Sequence, residues 1–402
     1  MKILVINCGS SSLKYQLFDM EGEKVLAKGI CESIATDMSH TKGSTFDGRS
    51  FDEYVDIPDH KVAFNIVKDA LTTGDCKVID SLSEISAIGH RVVQGGDRFT
   101  ESVLVDDGVL KAIDELSVLA PLHNPAHVIG IECCNEVFGA SVPQVAVFDN
   151  AFHSTMPETS YMFGIPYEYY EKDHIRRYGA HGTSHRFVAY RTAEIVGKDL
   201  KDIKLITCHL GNGCSITAIK DGKVLDTSMG LTPLDGFMMG TRCGAIDPSV
   251  VTYIMDKHNL SPKEMDTIMN KKSGVLGISG VHSDYRAVRA AAQEGNKRAK
   301  LARDMQWYQI RKVIGSYIAA MDGVDVIAFT GGIGENADDL RDNICNELSY
   351  LGIEINNEIG KTLVKGKEGE LSTENSKVKV YVLPTNEELA IARDTRDIVN
   401  AL

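Results

Sequence analysis

The chain has 402 residues, 43% of them apolar and 25% charged, which is the balance of an ordinary globular protein long enough for two cores of about 150 to 200 residues each. A formal net charge of -13 argues against a nucleic-acid or anionic-membrane binder, because both need a surplus of Lys and Arg on one face. Nine cysteines without a C-x-x-C pair read as buried thiols in a reducing compartment, and no apolar run approaches the roughly 18 to 20 residues that span a bilayer, so a cytoplasmic location is expected.

The apolar start Met1 to Asn7 turns polar and glycine-rich too soon for a signal peptide and reads as a strand. Ile3 to Gly29 gives an apolar strand, a small-residue turn, an alternating strand, a hairpin at Asp19/Gly22 and a third strand. Leu205 to Gly230 repeats this pattern with its hairpin at Asp221/Gly222. Such a duplication implies two similar domains facing a ligand-binding cleft. Between and after the repeats, helical periodicity runs over Lys111 to Leu119, Ala126 to Phe138, Ser184 to Val196, Pro248 to His258 and Arg286 to Met321. Strands are expected at Ile85 to His90, Gln144 to Asp149, Val324 to Thr330 and Val378 to Leu383, with a surface excursion from Gly360 to Lys379. The expected fold is α/β with mixed sheets.

Several short patterns carry chemistry. The turn Asn7-Cys8-Gly9-Ser10-Ser11-Ser12, followed by Lys14, offers backbone N–H groups, hydroxyls and a point charge to phosphate oxygens, and His209-Leu210-Gly211-Asn212-Gly213 repeats the turn in the second copy. Gly331-Gly332-Ile333-Gly334-Glu335-Asn336 follows an apolar strand and precedes a periodic helix. That is a nucleotide-cradle arrangement, but its spacing is neither a dinucleotide fingerprint nor a P-loop. Arg91 after an apolar strand and Arg242 in a glycine-flanked loop present forked guanidinium groups suited to carboxylate and phosphoryl oxygens. Asp149 ends a strand where α/β enzymes place chemistry, with a turn cap as the bland alternative. His181 and His185 are four apart but lack the Glu of a zinc-protease motif, so His181 reads as an imidazole beside a transferring phosphate or as a core histidine. Thr385 and Glu388 are expected to form a capping box at the last helix, which leaves Glu387 to bind Mg²⁺ through water or to stabilise the helix dipole.

Taken in order, N-C-G-S-S-S-L-K at Asn7 to Lys14, G-H-R-V-V-Q-G-G at Gly89 to Gly96, F-D-N-A-F-H at Phe148 to His153 and R-R-Y-G-A-H-G-T-S-H at Arg176 to His185 resemble the acetate kinase family. So do H-L-G-N-G at His209 to Gly213, the loop Asp235 to Asp247, Asp284-Tyr285-Arg286, F-T-G-G-I-G-E-N at Phe329 to Asn336 and P-T-N-E-E at Pro384 to Glu388. The resemblance implies a duplicated actin-like, ribonuclease H-like fold with two domains, residues 1–150 with 385–402 and residues 151–384, in a homodimer. It implies Mg²⁺, with Mn²⁺ as an alternative ion, at Asn7 and Glu387, and Asp149 as a catalytic acid. Arg91 becomes the substrate-carboxylate arginine within an apolar lining of Val93, Leu122 and Pro233, and His181 and Arg242 stabilise the transition state. For ATP it implies Lys14, the turn His209, Leu210, Gly211, Asn212 and Gly213, then Asp284, Tyr285 and Arg286, and the turn Gly331, Gly332, Ile333, Gly334, Glu335 and Asn336. Ala180 departs from the pattern, standing where many members have Phe beside the acyl pocket.

The activity so implied is reversible, Mg-dependent transfer of the ATP γ-phosphoryl group to acetate, giving acetyl phosphate and ADP. Acetate is ionised at pH 7, so its oxygen attacks without a general base, and positioning and charge supply the catalysis. The rival readings are a propionate or butyrate kinase of the same family, a sugar kinase on the same superfold, and a non-catalytic actin-like ATP-binding protein. No nucleic-acid or membrane partner is expected.

Overall fold

The duplicated sequence pattern becomes two copies of one strand order. The computed structural model describes residues 1–121 and 123–402; Leu122, expected in the acyl lining, lies outside the described residues. The described residues divide into two units, 1–152 with 386–402 and 153–385.

The first unit is built on β1 (Lys2–Gly9), β2 (Ser12–Asp19), β3 (Lys24–Glu32), β4 (His40–Thr45), β5 (Ser50–Tyr54), β6 (Ile85–Val92), β7 (Val103–Leu104) and β8 (Gln144–Phe148), in the order β5-β4-β3-β2-β1-β6-β8-β7. The second uses β9 (Leu205–Leu210), β10 (Cys214–Lys220), β11 (Lys223–Thr227), β12 (Val326–Thr330), β13 (Gly369–Glu370) and β14 (Lys379–Val382), in the order β11-β10-β9-β12-β14-β13. In both, an antiparallel run, five strands from β5 to β1 in the first and three from β11 to β9 in the second, leads into two further strands parallel to its last, β1-β6-β8 or β9-β12-β14, and a two-residue antiparallel strand closes the edge. This shared mixed topology is the duplicated α/β fold expected from the sequence. The second hairpin is tight because Asp221 and Gly222, between β10 and β11, both take left-handed backbone angles, φ 53 and 75°, which match the twist of the flanking strands.

The central parallel strands are largely apolar: Gln144–Phe148 and Val326–Thr330 are buried at every position, as strands covered on both faces must be. In the first unit the helix Asn124–Phe138 packs on β1 and β6, and the C-terminal helix Glu387–Asn400 packs on β6, β1 and β8. Gly89 permits the second of these contacts, since a Cβ on this β6 residue would overlap Thr395 Oγ1 and Ile391 Cγ2. In the second unit the helix Gly182–Val196 lies on β9, and the long helix Lys297–Met321 buries Trp307, Ile310, Ile314 and Tyr317. Among the described residues no helix is long and apolar enough to cross a membrane.

Four local expectations are corrected. The periodicity over Arg286 to Met321 is two helices, Tyr285–Gln293 and Lys297–Met321. Gly295 at φ 92° breaks the run, and Asn296 Oδ1 caps the second helix by accepting from the Arg298 and Ala299 amides. The glycine segment Gly331–Asn336 is itself helical, with the bend at Gly331, φ 78°. The last helix is capped by Asn386, whose Oδ1 accepts from the Leu389 amide at 3.1 Å, and not by a Thr385/Glu388 box, so Glu387 is its first residue. The excursion after Gly360 contains β13, which pairs with β14.

Candidate functional site

In the first unit, strand register places the polar groups. Asn7 on β1 is the cross-strand partner of Lys14 on β2, so both side chains leave the same sheet face. Arg91 comes from β6 and Glu387 from the start of the C-terminal helix, and all four line one cavity of about 490 Å³. Asp149, just past β8, is fully buried and accepts two hydrogen bonds from Arg91, Nε at 3.0 Å and Nη2 at 2.6 Å, both at Oδ2. The Asp149 amide donates to the Val92 carbonyl at 2.8 Å, holding it beside the end of β6. Val93 follows, also buried.

Electrostatics bind this group together. Burial opposes the Arg91 charge, but Asp149, Glu387 and Glu388 outweigh it and raise the guanidinium pKa. Glu387 is pushed up to about 7, first by burial and then by Asp149 and Glu388, against the opposing pull of Arg91 and Lys14. The side-chain oxygens of Asn7, Glu387 and Glu388 line this cavity and are hard donors of the kind a small divalent cation takes.

In the second unit, His181 sits at the N-cap of the helix Gly182–Val196 in a left-handed conformation, φ 60°. Its ring stacks on His209 at 4.2 Å between centroids, and its Nδ1 lies 2.8 Å from Ser215 Oγ. Arg242 donates from Nη1 to the Pro233 carbonyl at 3.0 Å, and burial lowers its pKa. Gly213 brings the two together: a Cβ there would lie 3.3 Å from Arg242 Nη1 and 3.6 Å from His181 Nε2.

Beside them is a cavity of about 960 Å³ whose lining includes Gly211, Asn212, Asp284, Tyr285, Arg286, Gly332, Ile333 and Asn336. The two glycine turns pack closely against each other, since a Cβ on Gly331 would stand 2.8 Å from the Leu210 carbonyl. Not every residue of the expected nucleotide set faces this space. Leu210 is in the hydrophobic core, Gly331 and Gly334 are buried, and Glu335 turns back so that its Oε1 accepts from the Gly331 amide at 3.0 Å. His209 and Gly213 lie on the His181 side, and Lys14 belongs to the first unit. Asp284 caps the helix Tyr285–Gln293 and pairs with Arg286 at 2.6 Å, which lowers its pKa to about 2. Ala180 is buried in the core of the second unit.

Sequence reasoning passed over Arg289, Gln293 and Lys365, which line the same cavity. Arg289 and Gln293 follow Tyr285 at spacings of four on one helix face, a signal that could have been read. Lys365 comes from the excursion, held where its amide donates to Asn336 Oδ1 at 2.8 Å, and no local pattern marks it.

The model of the acetokinase family matches residues 2–393. An acetate kinase from Halothermothrix orenii is 52% identical over 401 residues, covering 100% of both chains. Among solved structures, an acetate kinase from Porphyromonas gingivalis superposes with a TM-score of 0.95 at 44% identity, covering 99% of each chain. A propionate kinase from Francisella tularensis gives 0.92, also at 44% identity and 99% coverage of each.

Proposed function

The chain belongs to the acetokinase family and is a phosphotransferase with acetate kinase activity, with ATP and ADP as co-substrates; we propose that it moves the γ-phosphoryl group directly, in line, onto the acetate carboxylate. The observation that carries this reading is the Arg91–Asp149 pair beside Asn7, Lys14 and Glu387, because a site that only held nucleotide would have no need of a second, carboxylate-binding guanidinium.

Arg91 holds the acetate carboxylate, and Asp149 fixes the orientation of that guanidinium. With no proton to remove from acetate, Asp149 serves by orientation and charge rather than as a base. Val93, buried just past the Arg91 strand, gives the acyl site its apolar side. Asn7 and Glu387 would hold Mg²⁺, Mn²⁺ being an alternative, and the ion when bound would neutralise charge on the ATP phosphates. Arg242 and His181 meet the equatorial oxygens of the transferring group, where negative charge is spread in the transition state. Lys14, the His209 to Gly213 turn, Asp284 to Arg286 and the Gly331 to Asn336 segment serve ATP, several of them through their backbone. Nine free cysteines, eight of them buried, support a cytoplasmic setting, and the assembly we propose is a homodimer.

The test is acyl phosphate formation from ATP and Mg²⁺, trapped as the hydroxamate, with acetate, propionate, butyrate and glycerol compared. Acetate is expected to lead propionate by about tenfold or more in kcat/KM, the range one methylene provides in an apolar pocket. A lead for propionate would keep the mechanism and change the substrate. No acyl phosphate from any acid would overturn the reading.

A further inference from the structure

Behind His181 the second unit contains a chain of buried polar groups that the phosphoryl transfer does not itself use. Ser215 on β10 is fully buried and stands between two imidazoles, 2.8 Å from His181 Nδ1 and 2.7 Å from His185 Nε2. His185, also fully buried, reaches Thr207 Oγ1 on β9 with its other nitrogen at 2.7 Å. Strand and helix geometry sets this spacing. Thr207 and Ser215 lie on adjacent paired strands, and His181 and His185 are one helical turn apart on the segment that crosses them.

A hydroxyl has one proton, so Ser215 can donate to only one of its two imidazole neighbours and must accept from the other. His185 is held neutral by burial, with the nearby His153 and His209 adding to the effect, so it too has one proton to place. Two orders satisfy the chain. In one, donation runs from Thr207 through His185 and Ser215 to His181 Nδ1, leaving the His181 proton on Nε2. In the other, every bond is reversed and the neutral His181 presents a bare Nε2 lone pair. The Nε2 edge shares the face of Gly213 with Arg242 Nη1. A neutral His181 can donate toward phosphoryl oxygens only in the first order.

We propose that Ser215, itself held by His185 and Thr207, is a positioning residue for phosphoryl transfer that fixes His181 as the Nε2–H tautomer with its donor on the Arg242 side. The proposal rests on the assignment of His181 as a transition-state donor. A tautomer held in advance needs no reorganisation as charge develops, which is where such donors gain their effect.

Ser215→Ala is expected to lower kcat by about 10- to 100-fold, the range for removing a partner that orients an active group, with KM for ATP and acetate within about twofold of wild type. His181→Ala is run alongside. If His181→Ala is slow and Ser215→Ala turns over at the wild-type rate, the positioning role is overturned while the role of His181 stands. If His181→Ala is itself unimpaired, the assignment of His181 fails and this proposal falls with it. A folding defect in the Ser215 variant does not remove the test, because nitrogen NMR of ¹⁵N-histidine-labelled wild-type protein reads the tautomer directly, the His181 signals being identified by their loss in His181→Ala. Protonated Nε2 and bare Nδ1 are expected, and a protonated Nδ1 with bare Nε2 would overturn the proposal.

Discussion

Arg91 directs two N–H groups, Nε at 3.0 Å and Nη2 at 2.6 Å, at a single oxygen of Asp149, and the carboxylate that receives them is fully buried. A partner that takes two charged hydrogen bonds at one atom acts as an orienting group, locking the plane of the guanidinium that the proposed mechanism sets against the substrate carboxylate. Asp149→Asn should therefore lower kcat by roughly 10² to 10⁴, as loss of an orienting carboxylate does elsewhere. The shape of the pH–rate profile should persist at this lower level. Disappearance of an acid limb in the variant would instead identify Asp149 as a base.

Arg242 donates to the Pro233 carbonyl through Nη1 at 3.0 Å and shares the face of Gly213 with His181. Under the proposed mechanism, in which it meets the transferring group, Arg242→Ala should reduce kcat by about 10³ or more. Arg242→Lys should not recover the rate, because an ammonium cannot reproduce the planar fork. A folded Arg242→Ala enzyme with normal kcat would remove the residue from the mechanism.

Acid should destabilise the fold through its buried histidines before the ordinary surface carboxylates titrate. Burial lowers His90 to about 4 and His153 to about 3, and lowers His185 well below its usual value. Each folded value lies beneath the unfolded one near 6.5, so below that pH the unfolded chain takes up protons that the folded chain refuses. Stability is full above the unfolded value and is lost as pH falls toward the folded ones, by up to about 1.4 kcal/mol per pH unit for each imidazole. Between pH 7.5 and 5.5 the three together should remove up to about 4 kcal/mol. Glu387, raised to about 7 and so taking up its proton in the folded chain over the same window, offsets up to about 2 kcal/mol of this. The net loss is seen as a lower denaturant midpoint. An unchanged midpoint across that window would contradict the buried, neutral state of these rings.

Arg341 is fully buried and donates to three backbone carbonyls: Gly334 at 2.8 Å, Gly360 at 2.7 Å and Leu363 at 3.2 Å. It thus ties the glycine segment to the loop that carries Lys365 into the cavity of about 960 Å³ proposed for ATP. Arg341→Met leaves those carbonyls without their charged donor and should destabilise by about 2 to 4 kcal/mol. The KM for ATP should rise more than the KM for acetate, and equal changes in both would detach Arg341 from the nucleotide side.

The sequence by itself determined the mixed α/β class and its duplication, because alternating apolar residues and Asp/Gly hairpins are local signals that recur at Ile3 to Gly29 and Leu205 to Gly230. Its ordered motifs also sufficed to name the family, whose model matches residues 2–393. Local signals were weaker at boundaries. A periodicity count runs straight through Gly295, and a Thr385/Glu388 spacing looks like a capping box although Asn386 is the residue at the cap. The orientation of side chains within a motif was decided only by the tertiary structure. Leu210 and Glu335 look equivalent to their neighbours in sequence, yet one is committed to the core and the other to the amide of Gly331. Ser215 reads as one small residue in a strand until the helix bearing His181 and His185 is laid across it. Such contacts join residues about 30 positions apart, and packing selects them, since a hydroxyl or imidazole removed from water must find its partner among whatever groups the fold brings within reach.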